Sequence, residues 1–155
     1  NKTLINVHDV VLNAKNNIDF VVSNKKGKID INLDAQDPML FADRVHITNV
    51  VYNLVDNAIK YSSEQPKVKI CGVVRNGYTY ISVEDCGIGI PRREQRRIFD
   101  KFYRITSGDK YSTSGYGIGL YFVRSVVERH GGSVTLSSTL GEGSCFTLKL
   151  LRYGK

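Results

Sequence analysis

No stretch of this 155-residue chain is apolar over anything near the ~20 residues needed to cross a bilayer, so a membrane-spanning helix is excluded. The opening NKTLINVHDVV lacks a basic segment followed by an apolar one, so no signal peptide is read. It also lacks an initiator methionine, and we expect a fragment. Cysteine is scarce: Cys71, Cys86 and Cys145 are far apart and form no CxxC pair, which argues against a zinc site. An odd number of cysteines suits reduced thiols in a cytosol-like compartment. There is no internal repeat and no low-complexity tract. The strand–glycine–helix opening of a doubly wound nucleotide fold is also missing.

What remains is an ordinary globular composition, 41% hydrophobic and 24% charged, long enough to bury a sizeable core as one domain over residues 1–155. The formal charge is +7. Between Pro91 and Ser114 seven basic residues (Arg92, Arg93, Arg96, Arg97, Lys101, Arg104, Lys110) face three acidic ones, Glu94, Asp100 and Asp109. Such a balance is either a solvated surface or the footprint of an anionic partner, whether nucleic acid, phospholipid or nucleotide.

Periodicity gives the elements. Val7, Val10, Val11, Ala14, Ile18 and Val21 recur at helical spacing and predict a helix over 6–23. KIDINL (Lys28–Leu33) alternates as a strand and is stopped by Asp37-Pro38. Asp43 is placed to cap a second helix running to about Tyr61, with Ile47, Val50, Val51, Leu54 and Ala58 on its core face. Strands over Lys67–Arg75 and Tyr78–Glu84 flank Asn76-Gly77, a strong two-residue hairpin signal. A short helix is expected near 94–99. A third long helix is expected over 117–129, closed by Gly131-Gly132. SVTLSS and SCFTLKLL, joined by a TLGEGS turn, supply the last two strands. The order predicts a two-layer α/β sandwich: a mixed, largely antiparallel sheet of about five strands with three helices on one face.

Several segments carry polar groups that a core does not require. In NLVDNAIKYS (Asn53–Ser62), at about 100° per residue, Asn53, Asn57, Lys60 and Tyr61 fall within roughly 100° of one another, beside the apolar face. Amide oxygens suit Mg²⁺, an ammonium suits phosphate, and a phenol ring can cover a base. The plain alternative is the polar edge of an amphipathic helix. In DCGIGI (Asp85–Ile90), Asp85 at a strand end can accept a hydrogen bond from an exocyclic amine, and Gly87 and Gly89 allow a close backbone approach. Alternatively, this is a strand-exit turn. GYGIGL (Gly115–Leu120) opens a helix whose N-terminus favours phosphate. It lacks the lysine of a P-loop and otherwise reads as a hinge. In IFDKFYR, Phe99 and Phe102 share a helical face as core anchors, with Lys101 and Arg104 toward solvent or phosphate. The polar run ITSGDKYSTS after it reads as a mobile loop.

Taken together and in order, NLVDNAIKYS, DCGIGI, IFDKFYR and GYGIGL resemble the N, G1, F and G2 boxes of the catalytic, ATP-binding domain of sensor histidine kinases. This family shares its superfamily with gyrase, the heat-shock chaperone ATPases and the mismatch-repair ATPases. The resemblance covers about residues 3–151.

The resemblance implies ATP and Mg²⁺ as cofactors. Asn57 and Asn53 would hold the metal, and Asn53 and Lys60 would act on the triphosphate. Tyr61 would flank the adenine and Asp85 would read its amine, while Gly87, Gly89 and Ile90 would line the nucleotide. Lys101 and Arg104 would reach phosphate. Gly115, Gly117, Gly119 and Leu120 would shape the phosphate site, beneath a lid over residues 92–116. Cys86, Tyr116 and Ile118 depart from the usual family residues without removing a ligand.

The family's phosphorylated histidine lies on a separate helical hairpin, followed by an acidic residue and a Leu-Arg-Thr-Pro-like run. His8 is followed by Asp9 but then by Val10-Val11-Leu12. His46 lies on the second helix, and His130 ends the third as a dipole partner. The phosphoacceptor is therefore expected in a longer parent chain, with a response regulator downstream. Dimerisation belongs to that hairpin, so a monomer is expected here. The expected location is cytoplasmic, with any membrane attachment through an inner-membrane parent.

Two further classes share these features: an ATP hydrolase or nucleotide sensor of the same superfamily, and a nucleic-acid binder. The hydrolase relatives carry a glutamate base one turn before the metal asparagine, where this chain has Asn53. Specific nucleic-acid binding is not expected, because a triphosphate accounts for the basic residues near the lid.

Overall fold

The computed structural model describes residues 1–33, 39–62, 65–101, 103 and 119–152, apart from the Val21 side chain. The elements run β1 (Thr3–Asn6), α1 (Val7–Asn24), β2 (Lys28–Leu33), β3 (Met39–Ala42), α2 (Arg44–Lys60), β4 (Lys67–Arg75), β5 (Tyr78–Asp85), α3 (Gly119–Arg129), β6 (Ser133–Thr139) and β7 (Gly143–Leu151). Five strands form one sheet in the order β2-β4-β5-β7-β6. Only β2 and β4 pair in parallel, because α2 carries the chain between them. The β4–β5, β5–β7 and β6–β7 pairs are antiparallel. Asn76 and Gly77 both adopt positive φ, 54° and 80°, as a two-residue hairpin requires.

The period-two pattern decides which face is covered. Ile70, Val83, Phe146 and Leu136 are register partners across the sheet, and so are Gly72, Ile81, Leu148 and Val134. These rows meet Val10, Val11, Ala14 and Ile18 of α1, Val50, Val51, Leu54 and Val55 of α2, and Val123, Val126 and Val127 of α3 in one core. Each large apolar side chain buried there stabilises the fold by about 1.5–3 kcal/mol relative to exposure. At one end the same inward rows turn polar: Val68 pairs with Asp85, Asp85 with Ser144, and Ser144 with Ser138.

Two expectations change. The short helix near 94–99 is a 3₁₀ turn over Arg92–Glu94 followed by further turns. Its backbone bonds, Glu94 to Pro91, Gln95 to Arg92 and Arg97 to Glu94, all span three residues. Arg92, Arg93, Arg96 and Arg97 would stack like charges three and four apart on an α-helix, which disfavours lengthening it. The second change is an addition. Thr3–Asn6 pairs antiparallel with Met39–Ala42 as a separate two-stranded ribbon. Its Ile5, Leu40 and Ala42 are buried, while Leu4 and Phe41 face outward. The third helix is described from Gly119, and residues 117 and 118 lie outside the described residues.

Candidate functional site

Helix α2 is the wall of the site. Asp43 caps it, its Oδ1 accepting the His46 N–H at 3.1 Å. Ile47, Val50, Val51, Leu54, Val55, Ala58 and Ile59 are buried, and Asn53, Asn57, Lys60 and Tyr61 are all half-buried, at the rim that helical spacing predicts.

The Asn53 amide is oriented: its Nδ2 donates to Asn49 O at 2.8 Å. A β-carbon added at Gly119, the first residue of α3, would lie 3.3 Å from the Asn53 Oδ1. The start of α3 and the Asn53 edge of α2 are therefore in contact. Lys60 Nζ lies 3.0 Å from Asp56 one turn earlier, an ion pair that the sequence reading did not single out although Asp and Lys stand four apart. Amide oxygens at Asn53 and Asn57 form a hard donor set. Among the described residues no cluster of three or more His, Cys, Asp or Glu could cage an ion. The donor set therefore suits Mg²⁺ that shares its shell with phosphate oxygens and water.

The DCGIGI turn is stitched to that wall on one side and to the β6–β7 hairpin on the other. Ile88 N–H donates to Tyr61 O at 3.1 Å, and Gly141 N–H donates to Ile88 O at 2.7 Å. A β-carbon on Gly87 would stand 2.3 Å from Tyr61 O, and one on Gly89, which has φ 72°, 2.2 Å from Thr139 O. Both glycines therefore admit protein backbone, and the turn is held rigidly between two partners.

Asp85 ends β5 on the inward face and is 7% exposed. Its Oδ1 accepts the Gly87 N–H at 2.9 Å. Burial pushes its carboxyl above the usual range and the Glu84 charge adds to this, while backbone N–H groups of Gly87 and Ser144 pull the other way. Asp85 is thus a buried acceptor with its orientation fixed. A cleft passes along it, lined also by Ser138, Glu142, Gly143 and Ser144. Ser138 and Ser144 were missed in the sequence. The available signal was strand alternation, which puts both in the inward register of Asp85.

Ile90 and Leu120 are partly buried against the core. Ile98 and Phe99 are buried, and Phe99 meets Phe146 edge-on at 6.0 Å, as a core anchor should. Exposed Lys101 sits 5.6 Å from the centre of the Tyr121 ring on α3. Arg104, Gly115 and Gly117, together with Phe102, Tyr116 and Ile118, lie outside the described residues.

His130 does more than end a helix. Its Nδ1 lies 2.7 Å from Val126 O, and its Nε2 accepts the Asp43 N–H at 3.2 Å. The ring thus ties the end of α3 to the cap of α2, a link that its place at the end of the third helix does not reveal.

Among the described residues no helix is long and apolar enough to cross a membrane. Residues 42–154 match the family described as histidine kinase-, DNA gyrase B-, and HSP90-like ATPase. Among curated proteins, the sensor protein RprX of Bacteroides fragilis is 36% identical over 150 residues, covering 94% of this chain and 28% of RprX. The adaptive-response sensory kinase SasA of Prochlorococcus marinus is 43% identical over 119 residues, covering 76% of this chain and 31% of SasA. The chain thus spans less than a third of these relatives. Among solved structures, the nucleotide-free catalytic domain of histidine kinase ThkA superposes with a TM-score of 0.86 at 25% identity, covering 98% of both chains. The chain therefore belongs to the histidine kinase-, DNA gyrase B- and HSP90-like ATPase family, as a catalytic domain of the sensor histidine kinase type.

Proposed function

We propose that this domain binds Mg-ATP along the α2 edge and directs its γ-phosphate to a histidine on a separate helical hairpin of a longer protein. The observation that carries the reading is the contact between Gly119 and the Asn53 amide, combined with the Ile88–Tyr61 hydrogen bond. Through these, a phosphate-favouring helix start, an oriented amide edge and a buried base-reading acceptor all border one helix. In this arrangement Asp85 accepts the adenine amine and Tyr61 flanks the ring. Lys60 exchanges Asp56 for a phosphate oxygen. Asn53 and Asn57 would hold the metal, which would supply charge neutralisation on the transferring phosphoryl group. Gly87, Gly89 and Ile90 line the base, Gly119 and Leu120 shape the phosphate end, and Lys101 reaches phosphate; the family resemblance gives phosphate-side roles to Arg104, Gly115 and Gly117, which lie outside the described residues.

No strong base is needed for this transfer, because an imidazole nitrogen is itself the nucleophile. Asn53 speaks against the hydrolase alternative. It occupies the position of the water-activating glutamate, and an amide takes no proton at neutral pH. A hairpin from the parent chain and a downstream response regulator are the partners this reading implies.

The test has two parts. Calorimetry with a non-hydrolysable ATP analogue should show Mg²⁺-dependent binding. Incubation with γ-labelled ATP and the parent hairpin should give acid-labile label on the hairpin and none on this chain alone. Absence of binding, or acid-labile label on this chain alone, overturns the reading.

A further inference from the structure

Three hydrogen bonds converge on one hydroxyl that no part of the nucleotide reading uses. Ser138, on the edge strand β6, accepts the Ile90 N–H at 2.8 Å and donates to Gly143 O at 2.9 Å; its Oγ also lies 2.8 Å from Ser144 Oγ. A hydroxyl has one proton and two acceptor lone pairs. The Gly143 carbonyl can only accept, so it takes the Ser138 proton. The Ile90 N–H occupies one Ser138 lone pair. The remaining contact then has a single solution: Ser144 donates its proton to Ser138. This commits the Ser144 proton to Ser138, so any further partner of that hydroxyl in the cleft it lines with Asp85 meets its lone pairs.

We propose that Ser138 is a positioning and specificity-determining residue for base recognition. It fixes the Ser144 hydroxyl as an acceptor beside Asp85, and so makes the pocket floor a pair of acceptors that favours an amino group over a carbonyl. The proposal rests on the nucleotide reading above. It also assigns a mechanical role, because the same oxygen joins the DCGIGI turn at Ile90 to the β6–β7 hairpin at Gly143. Gln95 reinforces the joint from outside, its Nε2 donating to Ile90 O at 2.9 Å and to Ser138 O at 3.1 Å. A base presenting N–H donors meets two acceptors here, whereas one presenting a carbonyl oxygen meets lone pairs on both sides. Leaving buried polar groups unpaired in that way is strongly discriminating.

The experiment uses the full chain and calorimetry with Mg²⁺ and three probes: a non-hydrolysable ATP analogue, the matching GTP analogue and inorganic tripolyphosphate. The wild type should prefer the ATP analogue to the GTP analogue. Ser138→Ala frees the Ser144 hydroxyl to rotate and donate. It should weaken the ATP analogue about tenfold, narrow the ATP-to-GTP preference by at least that factor, and change tripolyphosphate less than twofold. Ser138→Thr, which keeps the hydroxyl on a residue favoured in strands, should restore the preference. Gln95→Ala loosens the joint without touching the hydroxyls, so it should weaken both nucleotide analogues alike and leave their ratio intact. This second variant reports on the joint even if Ser138→Ala does not fold. An unchanged ATP-to-GTP ratio in folded Ser138→Ala, a ratio altered by Gln95→Ala, or equal losses for nucleotide and tripolyphosphate would overturn the inference while leaving the site intact. No nucleotide binding by the wild type would overturn the functional reading itself.

Discussion

Replacing Gly87 with alanine places a methyl group 2.3 Å from the Tyr61 carbonyl oxygen. Ordinary contact begins near 3.4 Å, so the two backbones must separate by about 1 Å. Neither is a flexible side-chain tip: Tyr61 O belongs to the C-cap of α2, and Gly87 follows the buried Asp85. Overpacking of this kind costs about 1–3 kcal/mol. The separation also breaks the Ile88–Tyr61 hydrogen bond, worth about 0.5–1.5 kcal/mol. The expected loss is therefore about 1.5–4.5 kcal/mol, which lowers Tm by roughly 3–18 °C for a chain of this size. Urea unfolding with an unchanged m-value is the assay. Gly77→Ala serves as the internal standard. Gly77 has φ 80° but nothing within 4 Å, so alanine there meets only the left-handed penalty of about 1–2 kcal/mol. If Gly87→Ala is within 0.5 kcal/mol of the wild type, or milder than Gly77→Ala, the stitched-turn account is wrong.

Asp85 should make nucleotide affinity sensitive to acid. Its carboxyl is raised by burial, so as pH falls through that raised value the acceptor is protonated and the ATP analogue dissociates; calorimetry against pH should show this slope in the wild type and not in Asp85→Asn. For folding the sign is opposite. The native state keeps a proton that the unfolded chain has already released, so Asp85 favours the fold below 3.8 and this contribution disappears as pH rises through the native value. Asp43 runs the other way: the His46 N–H, above all, lowers its carboxyl, so its contribution is present above 3.8 and is lost as pH falls through its native value. Denaturation melts of Asp43→Ala should therefore be flatter on the acid side than those of the wild type. His130→Ala leaves the Asp43 N–H without its acceptor and should cost about 1–3 kcal/mol in urea unfolding, with a loss below 0.5 kcal/mol counting against the clasp. Asn57→Ala should remove the Mg²⁺ dependence of nucleotide binding while leaving Tm within a few degrees, and unchanged calorimetry would refute the metal role.

The elements that sequence predicted well are those whose signal is local. The helical spacing of Val10, Val11, Ala14 and Ile18, the alternation of KIDINL and the Asn76-Gly77 pair each fix their structure within a few residues. The β1–β3 ribbon was not legible, because it joins two four-residue segments across an intervening helix and strand, and neither has a turn to betray its partner. The site follows the same rule. The polar stripe from Asn53 to Tyr61 could be drawn on a helical wheel, and it sits half-buried where the wheel places it. Strand alternation could put Ser138 and Ser144 on the inward face, but their meeting beside Asp85 could not be read, since it depends on register across two strand pairings. Nor could the purpose of Gly87, whose close neighbour, Tyr61 O, lies 26 positions earlier in the chain.

Helices α2 and α3 pack along their length, with the His46 and Phe122 rings meeting edge-on at 6.4 Å; their ends differ, Gly119 lying against Asn53 near the start of α3 and His130 bonded to Asp43 just past its end. A rod tethered by directional bonds at its far tip, and only in van der Waals contact at its near tip, does not slide along its neighbour without tearing the tether. It swings. Any rearrangement of α3 that accompanies occupancy of the phosphate end should therefore be a small-angle pivot about His130, largest at Gly119 and vanishing at Arg129.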